Sequence, residues 1–335
     1  MVNSRNVIAI VGATGLVGQE MMTCLESSNV KVDELRLFAS KDSVGEVYKF
    51  RGDEVVVREL AAGAFAEVTH ALFATSAALS AEFVPVAVEA GAIAIDNSSH
   101  FRMEAGVPLV VPEVNPNAIG SSRVIANPNC STIQLVPVLQ ALHEIGELRR
   151  VVVSSYQSVS GAGKEALDEL WSQTLAIFNQ RDFTPEAFAH QIAFNCIPQI
   201  DVVRDDGYTK EEFKIINESR KILNQPDLKI TATAVRVPVL HSHAESVNIE
   251  FAREVTVNAA VKALSNRAGI QVYPEWTDYP MQLGVTGTDE IHVGRIRRDE
   301  SLEFGLNLWI VADNLRKGAA LNAVQILELL VNKES

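Results

Sequence analysis

With 335 residues, 47% apolar and 21% charged, the chain is long enough for about two domains and rich enough in apolar side chains for sizeable cores. Its net charge of −13 excludes nucleic acid as a partner, because neutralising phosphates takes clustered Lys and Arg. The same charge leaves room for an anionic small substrate, since a few local cations dominate a pocket.

The stretch 1–5 is short and polar, without the basic and apolar regions of a secretion signal. No apolar run has the length of a membrane span. The three cysteines, Cys24, Cys130 and Cys196, are widely spaced and odd in number, so neither a disulfide framework nor a metal site is expected. A reducing cytoplasm is the expected setting.

Val7–Val11 is predicted as a strand running into glycines, and Leu16–Leu25 as the helix after it. Leu35–Ala39, Ala71–Ala74 and Ala92–Ile95 are further short apolar strands, with a helix over Ala78–Ala90. Such alternation predicts a parallel sheet covered on both faces. The pattern changes after Cys130. Ile133–Ile145 and Ala166–Gln180 are helical by periodicity, while Val235–Val239 and Val247–Phe251 are strand-like. Leu302, Phe304, Leu306, Leu308 and Ile310 fall on one face of a strand at period two. These segments predict an α+β region with a mostly antiparallel sheet. A last helix, Lys317–Leu330, is expected to pack back on the first domain.

Gly12-Ala13-Thr14-Gly15-Leu16-Val17-Gly18 lies between the first strand and helix, where a dinucleotide fold turns around a pyrophosphate. The G-x-x-G-x-x-G spacing is weak by itself, since an empty glycine-rich turn reads the same way. At the end of the second strand, Ser40-Lys41-Asp42-Ser43 offers a lysine and hydroxyls for a 2′-phosphate. That favours NADP, and Asp42 keeps NAD open.

Asn127-Pro128-Asn129-Cys130-Ser131-Thr132 is a polar turn before an apolar helix that Ser131 or Thr132 can cap. Cys130 is therefore expected at a helix N-terminus, which favours the thiolate and supplies N–H groups for an oxyanion. Cys24 and Cys196 lie in apolar stretches and read as buried structural thiols.

The segment Ala126–Thr132 resembles the nucleophile motif of the aspartate-β-semialdehyde dehydrogenases, and the glycine loop with Ser40-Lys41-Asp42-Ser43 is similar to their NADP site. Further matches are Asn97–Arg102, Gln157–Gly163, Glu211–Lys214, Arg236–Val239 with His243, and Asp313–Ala320. The resemblance implies an α/β fold, with a Rossmann-type dinucleotide-binding domain over 1–130 completed by the C-terminal helix 314–335. It also implies an α+β catalytic and dimerisation domain over 131–313, and a homodimer.

The implied reaction is NADP-dependent reductive dephosphorylation of L-aspartyl-4-phosphate to L-aspartate-4-semialdehyde, on the route to lysine, methionine and threonine. Cys130 would form a thioester, with His243 as acid/base and Gln157 orienting the substrate. His241 is the rival histidine, and an alternating strand over Arg236–Glu250 would put both on one face. Arg102, Lys214 and Asn129 are implied at the phosphate, Arg236 at the α-carboxylate and Glu211 at the ammonium. Glu211 and Lys214 are three apart, so one helix face can carry both. Ser160, Gly161, Asn314 and Lys317 join Gly12–Gly18, Ser40, Lys41 and Ser43 as implied cofactor residues. Phe73–Ala77 departs from a more glycine-rich family stretch, and Ala244 replaces a frequent serine. Another acyl-phosphate reductase, such as N-acetyl-γ-glutamyl-phosphate reductase, is the nearest alternative, and a cofactor-binding protein without turnover is the non-enzyme one.

Overall fold

The computed structural model describes residues 5–334; residues 1–4 of the polar start and Ser335 lie outside the described residues. The chain divides into two compact units, Met1–Asn129 with Ala319–Ser335, and Cys130–Gly318.

The first unit carries β1 (Val7–Val11), α1 (Leu16–Ser27), β2 (Glu34–Ala39), β3 (Val47–Phe50), β4 (Asp53–Glu59), β5 (His70–Phe73), α2 (Ala77–Glu89), β6 (Ile93–Asp96) and β7 (Val124–Ala126). Its sheet has the order β3-β4-β2-β1-β5-β6-β7. Only β3 and β4 pair antiparallel; all other neighbours are parallel. Every residue of β1 and β5 is buried, so β1 and the Ala71–Phe73 part of β5 read as unbroken apolar runs. The β3–β4 hairpin escaped the sequence reading because its residues are mostly exposed, with charged residues among the apolar ones. Arg51 and Gly52, at φ of 50° and 93°, form its two-residue turn. The Arg51 guanidinium also donates to Leu25 O, Ser28 O and Val30 O, satisfying carbonyls at the end of α1.

The second unit carries α3 (Cys130–Gly146), β8 (Leu148–Gln157), α4 (Lys164–Phe178), α5 (Lys210–Ile222), β9 (Lys229–Arg236), β10 (His243–Phe251), α6 (Val257–Ser265), β11 (Ile270–Val272), α7 (Gln282–Val285), β12 (Ile291–Arg298) and β13 (Gly305–Ala312). Its sheet, β11-β12-β13-β10-β8-β9, is antiparallel at the centre and parallel at both outer pairs. The register aligns Gln157 with His243 and Arg236, and Ser155 with Glu245. These residues share the buried face on which α3 packs, and α5 lies against β9.

Three local expectations are corrected. The late strand starts only at Gly305, because the Asp299 carboxylate accepts from Ser301 N and Oγ and folds the preceding residues into a turn. Leu302 and Phe304 therefore lie outside it. The strand expected over Val235–Val239 ends at Arg236, just before Pro238, which has no N–H to donate. The continuous strand over Arg236–Glu250 is thus two strands, and Ser242, at φ 69°, turns the chain into β10.

A π-helical turn, Arg316–Ala320, leads into α8 (Leu321–Glu334). Ala323, Val324, Ile326 and Leu327 of α8 are buried in one core with Ile10, Met21, Leu25, Leu37 and Ile95, so the end of the chain completes the first unit's core. Leu327→Ala should therefore destabilise the fold by about 2–5 kcal/mol, read as a lower urea midpoint.

Candidate active site

In the first unit, Gly12 leaves β1 with φ 82°, and its N–H donates to Phe38 O at 2.8 Å. A Cβ on Gly12 would stand 2.3 Å from Ala74 O, and one on Gly18 would stand 2.1 Å from Gly12 O. Both positions exclude any side chain: Gly12 brings the loop against the residue after β5, and Gly18 brings α1 against the end of β1. Gly15 caps α1 with no side-chain hydrogen bond, leaving first-turn N–H groups for an anion. Beside them lies a cavity of about 460 Å³ lined by Gly12, Thr14, Gly15, Ser40, Lys41 and Thr75, among others. Ser43 Oγ donates to Thr14 Oγ1 at 3.4 Å, tying the end of β2 to the loop. Leu16 and Val17 are half-buried in the first turn of α1, and Ala13 is buried. The glycine cradle, the uncapped helix and Lys41 fit a dinucleotide carrying phosphates. Glu59, Leu60, Leu79 and Phe83 also line the cavity, and no sequence motif marked them.

The same unit holds Arg102 and Asn129, both buried. Arg102 Nε donates to Asn127 O at 2.9 Å and Nη2 to Asn97 O at 2.8 Å. Asn127 Nδ2 in turn donates to Asn97 Oδ1 and Ala319 O, and Asn127 Oδ1 accepts from Asn322 Nδ2. The Asn-Pro-Asn turn is thereby fastened from three directions.

The second unit opens with Cys130, the first residue of α3 and half-buried. Ser131 and Thr132 lie inside the first turn, so neither caps the helix as expected. Gly318 abuts the thiol-bearing residue: a Cβ there would stand 3.2 Å from Cys130 Cβ. Gln157 Nε2 lies 2.9 Å from Ser131 Oγ, 3.2 Å from Ser155 Oγ and 3.3 Å from Glu211 Oε1. Gln157 is thus held beside the first turn of α3.

His243 is wholly buried at the start of β10, whereas His241 sits half-buried in the preceding turn. The two do not share a strand face, because the strand breaks between Arg236 and His243. The Ser158 N–H donates to His243 Nδ1 at 3.1 Å, which leaves the proton of the neutral ring on Nε2. Burial, reinforced by Arg236, pushes His243 down to about 3; Glu211 and a backbone hydrogen bond at Ser242 oppose this. The imidazole is therefore neutral in the free protein at neutral pH.

Around it lie the charged residues. Arg236 Nη1 donates to Ser158 O at 2.7 Å. Burial lowers the Arg236 guanidinium, and Glu211 and Cys130 oppose that shift. The Thr209/Glu212 capping box starts α5, so Glu211 and Lys214 lie within its first turns on one face. Lys214 Nζ pairs with Glu211 Oε2 and with Asp201 Oδ2, both at 3.1 Å. Burial alone would lower Lys214, but the two carboxylates hold it above its ordinary value. Asp201 was not foreseen, since it lies in an irregular segment.

Asn314 and Ser160 are buried behind the histidine. Asn314 Oδ1 accepts from Ser158 Oγ, Ser160 Oγ and Ser242 N at 3.1, 3.2 and 2.8 Å. That web fixes the 158–161 loop against His243. Lys317 is fully buried in the π-helical turn. Cys196 is exposed, against expectation: its stretch lies outside regular structure between short polar bonds of Asn195. Cys24 is buried in α1 as expected.

Models of two families match the chain. One, the semialdehyde dehydrogenase NAD binding domain, covers residues 7–122, and the semialdehyde dehydrogenase dimerisation domain covers 139–317. The architecture is thus that of a nicotinamide-dinucleotide oxidoreductase with a second, dimerisation-type domain. The chain is 47% identical over 328 residues to aspartate-semialdehyde dehydrogenase 2 of Vibrio cholerae, covering 97% of each chain. It is 47% identical to aspartate-semialdehyde dehydrogenase of Bacillus subtilis, covering 96% of each. The crystal structure of Vibrio cholerae aspartate semialdehyde dehydrogenase II complexed with ASA superposes with a TM-score of 0.96, at 46% identity over 98% of both chains. The chain belongs to the aspartate-semialdehyde dehydrogenase family.

Gly161 is the tightest test of the pocket. A Cβ there would lie 3.1 Å from Arg236 Nη1 and from His243 Nε2. Gly161→Ala should lower kcat by about 10²-fold, the scale of a small misplacement of reacting groups, with an unchanged circular dichroism spectrum.

Proposed function

We propose that the protein converts L-aspartyl-4-phosphate, phosphate being expelled, to L-aspartate-4-semialdehyde through a thioester on Cys130, with NADPH as reductant. The single observation carrying the reading is the cluster around Cys130: a thiol at the start of α3, with Gln157 against the same first turn and Arg236 close enough to feel its charge.

The Cys130 sulfur attacks the acyl carbon, and the C–O bond to phosphate breaks, leaving a thioester and free phosphate. First-turn N–H groups of α3 face the developing oxyanion. Bound reduced cofactor supplies the hydride that takes the thioester to the aldehyde level. His243, held neutral with its proton on Nε2, gives that proton to the oxyanion formed as hydride arrives, and takes the hydroxyl proton back as the C–S bond breaks and the carbon becomes trigonal. The sulfur leaves as thiolate, ready for another turn. Gln157 orients the acyl group beside the thiol.

Substrate charges meet a fitting template. Arg236 takes the α-carboxylate, for which a guanidinium offers two parallel donors. Glu211 takes the ammonium, and substrate displaces its contact with Lys214. Lys214, Arg102 and Asn129 take the phosphate. Gly12–Gly18 and the 460 Å³ cavity hold the dinucleotide, with Ser40, Lys41 and Ser43 at a 2′-phosphate. Ser160, Gly161, Asn314 and Lys317 complete the nicotinamide end. The same reading sets the reaction in the cytoplasm, within lysine, methionine and threonine synthesis. Among the described residues no helix is long and apolar enough to cross a membrane.

Purified protein given L-aspartate semialdehyde, phosphate and NADP should form NADPH only when phosphate is present. NAD in place of NADP should give a much higher KM. Cys130→Ala should reduce the rate by about 10³-fold or more, and full activity in that variant would exclude a thioester. Turnover of the N-acetylglutamate semialdehyde instead would favour the sister reductase.

We assign the active form as a homodimer. Trp171, Leu175 and Phe178, at spacing four and three on α4, are 56%, 57% and 73% exposed, and Met281 and Tyr279 stand exposed on the second unit's surface. Sedimentation equilibrium should give twice the chain mass, and Phe178→Glu should shift the population towards monomer; a stable active monomer would overturn the assignment.

A further inference from the structure

Glu245 is a charged residue type with no part in the chemistry above. It lies two positions along β10 from His243, on the same buried face, and is 0% exposed. Ser155 stands opposite it on β8 and Ile310 on β13. Among the described residues neither carboxyl oxygen of Glu245 has a hydrogen-bond partner, and neither does the side-chain amide of Gln134. Gln134 sits on α3 one turn after Cys130 and is itself wholly buried. A carboxylate with no ion pair and no hydrogen-bonded donor in such a place is costly, and the group avoids the cost by holding its proton.

We propose that Glu245 is a positioning residue: a neutral carboxyl beneath the nucleophile helix that keeps the layer under Cys130, Gln157 and His243 free of net charge. The inference rests on the reaction assigned above. The groups facing it are few. His243 lies along its own strand, α3 brings Gln134 with Cys130 a turn away, and β8 brings Ser155 with Gln157 beyond it. β13 brings Ile310; α5, which packs on α3, carries Glu211 (bonded to Gln157), Lys214 and the buried Glu218; and Arg236 ends β9. Burial pushes Glu245 up to about 8; the Gln134 amide, close by but outside hydrogen-bonding geometry, opposes that shift.

Ionised, Glu245 would place a negative charge two residues along β10 from His243 and beneath the helix that carries Cys130. It would favour an imidazolium over the neutral ring and disfavour the thiolate. It would also strain the fold. The unfolded carboxyl ionises near 4.5 and the folded one only near 8, so this residue's stabilising contribution is whole below 4.5 and is lost as pH rises through 8.

Three variants decide the matter. Glu245→Ala should lower kcat about tenfold at pH 6.5, and Glu245→Gln, which keeps shape and neutrality, should rescue it. Relative to wild type, Glu245→Gln should gain at least about fivefold in activity between pH 6.5 and 9, and its melting temperature should fall less over that interval. Infrared spectra at pH 7 should show a protonated carboxyl band that Glu245→Gln removes. Gln134→Leu should leave that band in place and move the alkaline limb upward, because the one opposing group is gone. Equal kcat for Glu245→Ala and wild type, parallel pH profiles of wild type and Glu245→Gln, or no lost infrared band would overturn the proposal. Melting curves and spectra need no turnover, so inactivity of the wild type towards aspartate semialdehyde would reject the reaction while leaving these readouts intact.

Discussion

Charge buried on one face of a β-sheet must be balanced within reach, and the second unit is organised around that constraint. Arg236 and Glu211 are each no more than 7% exposed, on β9 and α5. Neither could remain there alone, since an uncompensated buried ion costs far more than one helix or strand returns. Arg236 is anchored to Ser158 O, while Glu211 is met by Gln157 and Lys214, with Asp201 at the outer end. His243 and Glu245 settle the remaining balance by staying neutral, one without its extra proton and the other with its proton kept. The result is a layer in which every buried charge has a partner or is held neutral.

The first unit answers a different constraint, steric rather than electrostatic. Gly12 and Gly18 stand where a Cβ would collide with backbone oxygen: Gly12 lets the loop lie against Ala74 just past β5, and Gly18 lets α1 close on the end of β1. That approach aims uncapped N–H groups of α1 at the cavity beside Lys41. The strands supporting the loop are buried on both faces, and α8 returns from the end of the chain to close the same core. Rigidity under the loop is what makes a row of weak N–H donors an anion site.

Legibility differed with the locality of the cause. Cys130 was readable because a polar turn and a helix start are written in adjacent residues. The glycine loop was readable for the same reason. Glu211 and Lys214 could be put on one face by spacing alone, and the capping box at Thr209 and Glu212 sets where that face begins. The β3–β4 hairpin was missed because its strands are exposed and its turn uses Arg51-Gly52 in place of the commoner Asn-Gly. Cys196 was misjudged because apolar neighbours in sequence do not bury a residue outside regular structure. The choice between His241 and His243 turned on Ser242, whose left-handed backbone no periodicity announces.

By itself the sequence determined the alternating α/β plan, the glycine turn, a thiol at a helix start and the kinds of charge on the neighbouring segments. These follow from short-range sterics and from hydrophobic period, which adjacent residues set. Tertiary structure alone decided which histidine is buried, which nitrogen of it carries the proton, that Lys214 reaches Asp201, and that Glu245 lies unpartnered beneath α3. Strand register and helix packing bring those groups together from distant parts of the chain, and their protonation follows from the surroundings that packing creates.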